Sequence, residues 1–243
     1  MDNLGYGTLY LLPTRLGEVP WPAVLPAGTR EIACRLCHFV VENAKSARAA
    51  LKWLDHPGPL HKLAIEELPA SPAPADLDRL LAPLLAGQDM GVMSEAGCPG
   101  VADPGALLVR RAHELGIPVR PLVGPSSLLL ALMASGLEGQ RFAFHGYLPR
   151  REPERSQHIA ELERESRQKR QTQLFIETPY RNAALLEALI TTCRADTLLC
   201  LACDLTLPTE QIVTRRIIEW RCRPDSADSY AKRPTVFLLL SAA

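Results

Sequence analysis

A glycine-rich segment between a strand-like run and a helix-like run has the composition of a nucleoside-binding loop. It reads Ser94-Glu95-Ala96-Gly97-Cys98-Pro99-Gly100-Val101-Ala102-Asp103-Pro104-Gly105. Small residues at the carboxyl end of a strand let the main chain approach a flat ligand closely, and open α/β sheets bind ligands at that edge. A turn that is merely rich in glycine and proline has the same composition, so this segment alone favours neither interpretation.

Two further junctions run from a strand-like segment into a helix-like one. Val123-Gly124-Pro125-Ser126-Ser127 opens a helix, and its serines can cap that helix or donate to a ligand. Capping is the simpler interpretation of this junction taken by itself. The other junction is Phe175-Ile176-Glu177-Thr178-Pro179-Tyr180-Arg181. Three such junctions together favour a ligand site more than any one of them.

The elements that would position these loops alternate in the first half of the chain. The order of strand-like and helix-like runs predicts a parallel sheet with helices on both faces. We expect Asp103 to cap one helix, with Pro104 as its first residue and Gly116 at its end. The strand-like runs are Gly7–Leu12, Phe39–Val41, Lys62–Ile65, Gly91–Met93 and Pro118–Val123. The helix-like runs are Ser46–Leu54, Asp76–Leu85 and Ala106–Leu115.

The pattern restarts after Val123, and its last strands follow one another without helices between them. This order predicts a mixed sheet in the second half. We therefore predict an α/β protein with two α/β domains, residues 1–123 and 124–243. The predicted elements of the second half are the helix Ser126–Ser135, the strand Phe142–Tyr147, the helix Glu152–Lys169, the strand Leu174–Ile176, the helix Asn182–Cys193, and the strands Leu198–Cys203, Gln211–Ile217 and Thr235–Leu240.

Composition is that of a globular protein without strong overall charge. Of the 243 residues, 47% are apolar and 22% charged, and Lys plus Arg equal Asp plus Glu. A neutral chain does not steer nucleic acid globally, so any RNA contact must come from a local basic patch. No secretory signal pattern is evident, and the apolar run Leu128–Met133 is too short to span a bilayer. We expect a cytoplasmic protein without a membrane partner.

The cysteines are expected to be reduced and free of metal. There are seven, in no framework spacing. Cys34 and Cys37, and likewise Cys200 and Cys203, form CxxC pairs that resemble zinc half-sites. The second pair lies in an apolar strand-like run, where residues three apart point to opposite faces. Buried apolar cysteines are the better interpretation of that pair, and we expect no metal.

Several motifs in the same order along the chain resemble the tetrapyrrole methylase superfamily and, within it, the ribosomal RNA small-subunit methyltransferase I family. Gly7-Thr8-Leu9-Tyr10 with Pro13-Thr14 is similar to the family's opening strand and loop. Ser94–Gly105 is similar to its Ser-Asp-Ala-Gly-Thr-Pro and Asp-Pro-Gly signature. The remaining matches are Gly124-Pro125-Ser126, Ala134-Ser135-Gly136-Leu137, Phe144–Pro149, Glu177–Arg181 and Asp204-Leu205-Thr206.

This resemblance implies two α/β domains with a cleft between them that holds S-adenosylmethionine, and it implies a homodimer. It implies methyl transfer to a cytidine ribose 2′-hydroxyl in small-subunit ribosomal RNA. The cofactor-binding residues that it implies are Pro13, Thr14, Glu95, Ala96, Gly97, Cys98, Pro99, Val101, Ala102, Pro125, Ser126, Ser127, Glu177, Thr178, Pro179, Ala202, Cys203, Pro234 and Thr235.

The chain departs from the family most clearly after its second strand. Where the family has Ala-Glu-Asp-Thr-Arg, this chain reads Val41-Glu42-Asn43-Ala44-Lys45. Lysine is a point charge and cannot reproduce the bidentate grip of arginine on phosphate. Glu95 stands for Asp, Cys98 for Thr, and Cys203 for a basic residue. These changes affect the predicted substrate loop more than the cofactor loops.

Methyl transfer to a hydroxyl requires alignment of donor and acceptor, and a side chain that accepts the hydroxyl proton would help. The candidate catalytic residues are Glu42, Lys45 and Glu95, with Lys45 favoured as a substrate contact. A solvated charge or a helix cap is the alternative for each. An acceptor of another kind, such as a tetrapyrrole or a protein side chain, remains open. So does a protein that binds the cofactor without catalysis.

One local basic patch is predicted on the helix after Asn43. Lys45, Arg48 and Lys52 are spaced to share one helix face, which could meet RNA phosphates. The opposite face carries the apolar residues Ala47, Ala50, Leu51 and Leu54. An ordinary solvated helix face is the alternative interpretation of the three cations.

Overall fold

The computed structural model describes residues 5–222 and 229–241. The chain divides into two compact units, unit 1 up to Ser126 and unit 2 from Ser127 onward. Gly124, Pro125 and Ser126, which the sequence analysis assigns to the second domain, belong to unit 1 in this division.

Unit 1 contains a five-stranded sheet in which every neighbouring pair of strands is parallel, in the order β3-β2-β4-β1-β5. The predicted parallel sheet is therefore confirmed. The third strand lies later than predicted, because residues 60–62 form a 3₁₀ turn before it. The strands are β1 (Leu9–Leu11), β2 (His38–Val41), β3 (Ala64–Glu67), β4 (Met90–Met93) and β5 (Val119–Pro121).

Helices of unit 1 cover both faces of this sheet, because successive strand residues point to opposite sides. Phe39 packs into one apolar cluster with Leu51, whereas Val40 packs into the other with Leu80. The helices are α1 (Ala27–Arg35), α2 (Ala44–Trp53), α3 (Pro74–Leu85) and α4 (Ala106–Glu114). The helix α1 was not predicted, because its residues include Gly28 and Thr29, both weak helix formers.

The predicted cap of α4 by Asp103 is wrong, although the helix starts where the predicted run Ala106–Leu115 starts. The helix begins at Ala106, and Gly105, with φ 131°, precedes it without a side-chain cap. The loop folds back on itself through a hydrogen bond from the Gly100 amide to the Pro104 carbonyl, 3.2 Å long. Asp103 is instead partly buried within this loop, two residues before Gly105. A contact within the loop thus replaces the predicted helix cap.

Unit 2 contains a mixed five-stranded sheet in the order β6-β7-β10-β8-β9, as predicted. The pair β6 and β7 is parallel, and the other neighbouring pairs are antiparallel. The strands are β6 (Phe142–Tyr147), β7 (Thr172–Ile176), β8 (Leu198–Cys203), β9 (Gln211–Arg216) and β10 (Thr235–Leu240). The helices are α5 (Ser127–Ser135), α6 (Glu154–Lys169), α7 (Asn182–Thr192) and α8 (Ile217–Arg221).

The core of unit 2 is aromatic and contains one of the predicted buried cysteines. Phe175 and Phe237 stack with ring centroids 5.9 Å apart, and Cys203 belongs to the same cluster. Cys200 is fully buried too, and burial raises the pKa of both thiols. The interpretation of Cys200 and Cys203 as buried apolar residues is confirmed.

Neither residues 5–222 nor residues 229–241 contain a helix long and apolar enough to cross a bilayer. Within these same ranges, no group of three or more His, Cys, Asp or Glu side chains is arranged to hold a metal ion.

Candidate active site

Two of the predicted cofactor loops in unit 1 are joined through main-chain hydrogen bonding. The Thr14 amide, just after β1, donates to the Gly97 carbonyl, after β4, at 2.9 Å. The Thr14 hydroxyl is buried and lies 3.5 Å from the Ser94 carbonyl oxygen. The two strands are neighbours in a parallel sheet, so their carboxyl ends meet at one edge and hold these loops together.

The third loop of unit 1 joins the same group. The Cys98 thiol donates to the Pro125 carbonyl at 3.4 Å, and burial raises the pKa of Cys98, which keeps the donor protonated. Gly124 packs so closely on Pro13 that a Cβ atom built on it would lie 2.4 Å from the proline Cγ. Residues 13–14, 94–105 and 123–126 therefore form one assembly, which we call the loop cluster.

The main chain of the loop cluster is held in left-handed conformations that small residues tolerate. Gly97 has φ 70° and Ala102 has φ 64°. For alanine this conformation costs about 1 kcal/mol, a cost that is common at ligand sites. Ala96 and Ala102 are exposed, and Val101 is 48% exposed. This accessible apolar surface, backed by main chain, is open to a flat apolar group of a ligand.

Ser126 and Ser127 do not act as side-chain caps of α5. Within residues 5–222 and 229–241, neither hydroxyl has a hydrogen-bond partner, and both residues are partly exposed. Both hydroxyls therefore remain available to a ligand. Capping, the simpler interpretation of this junction from sequence, has no support in the structure.

Three carboxylates meet at the carboxyl edge of the unit 1 sheet. Glu42, which follows β2, accepts a hydrogen bond from the Glu95 amide at Oε2, 3.1 Å away. The pKa of Asp103 is raised, chiefly by burial and further by the charges of Glu42 and Glu95, although its hydrogen bond with Ser94 opposes the rise. The structure thus brings two of the predicted catalytic residues together and adds Asp103, which the sequence analysis took for a helix cap.

Lys45 lies at the start of α2, immediately beyond Glu42. Asn43 caps this helix by accepting hydrogen bonds from the Lys45 and Ser46 amides at 2.9 and 3.1 Å. Glu67 accepts a further bond from the Ala44 amide at 2.7 Å. Asn43, where the family has Asp, therefore still supports the helix start. Lys45 is exposed and makes no ion pair within the residues that the structure describes.

The predicted cationic face of α2 is confirmed. Lys45, Arg48 and Lys52 are exposed. The opposite face, formed by Ala47, Ala50, Leu51 and Leu54, is buried. We call the three exposed cations the α2 patch.

The predicted residues after β7 in unit 2 are tied together by charge. Glu177 is buried and forms an ion pair with Arg181, while the Thr178 amide donates to its Oε1 at 2.6 Å. Burial would raise the pKa of Glu177, but the hydrogen bonds from Arg181 and Thr178 outweigh it and hold the pKa below its usual range. The Glu177 carboxylate therefore stays ionised, and its Oε1 atom accepts hydrogen bonds from Thr178 and Arg181.

Asn182 fastens the segment before β10. Its side chain is fully buried, and Nδ2 lies 2.7 Å from the Arg233 carbonyl and 3.2 Å from both the Tyr230 carbonyl and Thr235 Oγ1. The Lys232 amide donates to the Pro179 carbonyl at 2.9 Å. Two stretches named from the resemblance, around Pro179 and around Thr235, therefore lie together in unit 2. No local pattern indicated this role, because an asparagine at a helix start is an ordinary cap residue.

The other predicted contacts in unit 2 differ in how accessible they are. Ala202 and Cys203 are buried in β8, and the Cys203 side chain is occupied in the core. The Thr235 hydroxyl is taken by Asn182 and the Arg233 carbonyl. Pro234 is exposed, and Thr178 and Pro179 are partly exposed. The last three residues are the ones whose side chains could meet a ligand.

The family of this chain follows from comparison with known proteins. The model of the family described as Tetrapyrrole (Corrin/Porphyrin) Methylases matches residues 39–219. The chain belongs to this family. A protein named Ribosomal RNA small subunit methyltransferase I from Xylella fastidiosa is 29% identical over 98% of this chain and 82% of its own length. One of the same name from Micromonospora olivasterospora is 31% identical over 91% of this chain and 67% of its own length.

Solved structures show the same fold. The methyltransferase CobJ has a TM-score of 0.62 at 19% identity, covering 98% of this chain and 95% of CobJ. The cobalt precorrin-4 methyltransferase CbiF has a TM-score of 0.62 at 13% identity, covering 99% of this chain and 97% of CbiF. The predicted fold class, two α/β domains of the tetrapyrrole methylase type, is confirmed. The chain is a methyltransferase, and its reaction requires a methyl donor.

Proposed function

We propose that this methyltransferase transfers a methyl group from S-adenosylmethionine to a ribose 2′-hydroxyl of small-subunit ribosomal RNA. The observation that carries the proposal is the position of the α2 patch. The helix α2 starts two residues after Glu42, which is bonded to the loop cluster through the Glu95 amide. The three cations of the α2 patch therefore lie on the helix that begins next to the proposed donor site. The names of the relatives point to the same kind of acceptor.

Residues of the loop cluster would hold the donor mainly through main chain and small side chains. When bound, S-adenosylmethionine supplies a methyl group already activated by the sulfonium. Ala96 and Ala102 offer accessible surface, and the Ser126 and Ser127 hydroxyls are available to donate. Thr178, Pro179 and Pro234 are the accessible candidates in unit 2. The protein's task is to hold donor and acceptor in line.

The acceptor hydroxyl must lose a proton, and we assign its acceptance to Glu95. Glu95 is exposed, whereas Glu42 uses Oε2 to hold the Glu95 amide. Glu42 therefore positions the loop that carries Glu95. Lys45 is exposed at the start of α2 and would contact a neighbouring phosphate as a point charge.

We further propose that the enzyme acts in the cytoplasm as a homodimer. Both statements rest on the family resemblance and on the ribosomal RNA named for the relatives. Sedimentation at micromolar concentration should give about twice the 26.7 kDa mass of one chain. A 26.7 kDa species alone would contradict the dimer.

The acceptor is tested with methyl-labelled S-adenosylmethionine offered alongside small ribosomal subunits, deproteinised RNA, total protein and a tetrapyrrole. We expect label in RNA, recovered in an alkali-resistant dinucleotide as ribose methylation requires. Glu95→Gln should lower turnover by 10²-fold or more while donor binding, measured by calorimetry, is unchanged. Label in protein or tetrapyrrole would assign another acceptor. Donor binding without transfer to any acceptor would assign a binding protein.

A further inference from the structure

Two tyrosines of unit 2 stand exposed where β6 and β7 end. Tyr147 is 59% exposed and Tyr180 is 83% exposed. The chain contains only five tyrosines, and aromatic residues make up 5% of it. Aromatic rings supply large amounts of buried surface when they pack, so leaving two of them in solvent at one sheet edge indicates a contact surface.

Tyr147 is turned outward by an irregularity in β6. The register with β7 shifts between Phe144 and Tyr147, and Gly146, inside the shift, has φ 65°. Bulges of this kind re-aim side chains, and a left-handed residue there favours glycine. The next residue, Leu148, is buried. The irregularity therefore exposes the Tyr147 ring to solvent, whereas Phe144 before it stays paired with β7 and Leu148 after it stays buried.

Tyr180 is exposed on a turn whose two flanking residues are bonded to other parts of unit 2. It is the middle residue of the 3₁₀ turn Pro179–Arg181. On one side the Pro179 carbonyl accepts the Lys232 amide at 2.9 Å, and on the other Arg181 pairs with buried Glu177. An exposed ring on a fastened turn loses little conformational freedom when it binds.

The two rings lie at the same edge of the sheet. Tyr147 is opposite Ile176 in the ladder of β6 and β7, which run parallel, and Tyr180 follows Ile176 by four residues. Both tyrosines therefore stand at the carboxyl ends of two neighbouring parallel strands.

Cations follow directly on β6. Arg150 and Arg151 are exposed, and neither forms an ion pair with any residue in the ranges 5–222 and 229–241. By contrast, Arg155 in the same segment is paired with Glu152. Unpaired guanidinium groups that follow an exposed aromatic ring by three and four residues complement a ligand that carries both phosphates and flat bases.

We propose that Tyr147 and Tyr180 form a stacking platform for unpaired RNA bases, with Arg150 and Arg151 contacting the adjoining phosphates. This proposal rests on the proposed RNA methyltransferase function and names the form of RNA it takes. Bases in a duplex are already stacked, whereas single-stranded segments can place a base on an aromatic ring. Every base has a flat face, so the platform selects unpaired RNA and not a particular sequence.

The experiment measures binding of the full chain to a single-stranded RNA oligonucleotide and to a duplex of the same sequence by fluorescence anisotropy. Tyr147→Ala and Tyr180→Ala should each weaken single-strand binding by roughly tenfold. Tyr147→Phe and Tyr180→Phe should retain it, because they keep the ring. Phe142→Ala is the matched control: Phe142 begins the same strand, is 43% exposed and lies at the opposite edge of the sheet. It should not alter RNA binding.

The arginines and the competing explanations are separated in the same assay. Arg150→Ala with Arg151→Ala should reduce the salt dependence of RNA binding by about one unit of slope per contact, whereas the tyrosine variants should leave it unchanged. If the alanine variants bind RNA as the wild type does, or change only donor affinity or sedimentation, the platform is refuted although RNA methylation stands. If the wild type neither binds nor methylates RNA, the proposed function fails with it.

Discussion

The loop cluster of unit 1 and the fastened edge of unit 2, formed by residues 177–182, 204–211 and 229–235, are built in different ways. The loop cluster is joined mostly through main chain and presents small, exposed residues. In the fastened edge, Asn182 and the ion pairs Glu177–Arg181 and Asp204–Arg233 occupy the polar side chains. The first arrangement leaves groups available to a ligand. In the second, the polar side chains bond to one another and to main-chain carbonyls, and these bonds hold the segments in place.

The largest effect should come from a side chain added to the loop cluster. Gly97→Val should weaken S-adenosylmethionine binding by roughly 100-fold, because Gly97 is buried and its φ of 70° is one that a β-branched residue rarely adopts, so the loop must shift. Calorimetry measures the affinity. Gly139→Val, at an exposed position with nothing within 4 Å of the added Cβ, is the control and should bind normally. Equal affinity in both variants would separate the loop cluster from the donor site.

The next largest effect tests whether unit 2 depends on its polar network. The Arg233 guanidinium donates to Asp204 Oδ2 at 2.8 Å and to the carbonyls of Thr209 and Ser229. Arg233→Ala removes the ion pair of the buried Asp204 and the bonds to the two carbonyls, and should lower the free energy of unfolding by about 2–3 kcal/mol. Urea unfolding measures it.

Arg194→Ala is the matched control for Arg233→Ala. It removes an exposed pair with Asp196, 3.5 Å apart, and should change the stability by no more than about 0.5 kcal/mol. Equal losses of stability in the two variants would show that the polar network around Arg233 stabilises unit 2 no more than an exposed ion pair does.

A smaller effect should appear in the pH dependence of stability. The pKa of Glu177 is lowered in the folded protein, so its contribution is complete above its unfolded pKa, about 4.3, and is lost as pH falls through the folded value. Glu177→Gln should cost about 1–2 kcal/mol at pH 7 and flatten the loss of stability below pH 4. Glu187→Gln, exposed on α7, should keep the wild-type profile. A Glu177→Gln profile parallel to that of the wild type would contradict this account.

The smallest effect concerns the α2 patch. Lys45→Ala with Arg48→Ala should flatten the salt dependence of RNA binding by about one unit of slope per lost contact and leave donor affinity unchanged. Arg79→Ala removes a cation from α3 that is paired with Glu66, and should leave the slope unchanged. An unaltered slope in the double variant would make the patch an ordinary solvated face, and the case for an RNA acceptor would lose that support.

Much of the fold could be predicted because local patterns and long-range packing agree. The bounds of β6, β8 and β10 are as predicted. Each is a run of six residues rich in apolar or aromatic side chains, typical of strands in a buried sheet. The buried face of α2 follows from its spacing, and so does its cationic face. The predicted cap of α4 was wrong because Gly105, with φ 131°, separates Asp103 from the helix, which begins at Ala106.

Sequence by itself determined the order of the elements, the parallel and mixed sheets, and the loops that carry chemistry. These depend on residue periodicity and on conformational preferences that act over a few positions. Tertiary structure alone decided that Cys98 would bond to Pro125, that Asp103 would join Glu42 and Glu95, and that Asn182 would hold the segment before β10. These contacts join residues far apart in the chain, and their energies depend on burial and distance, which no local pattern encodes.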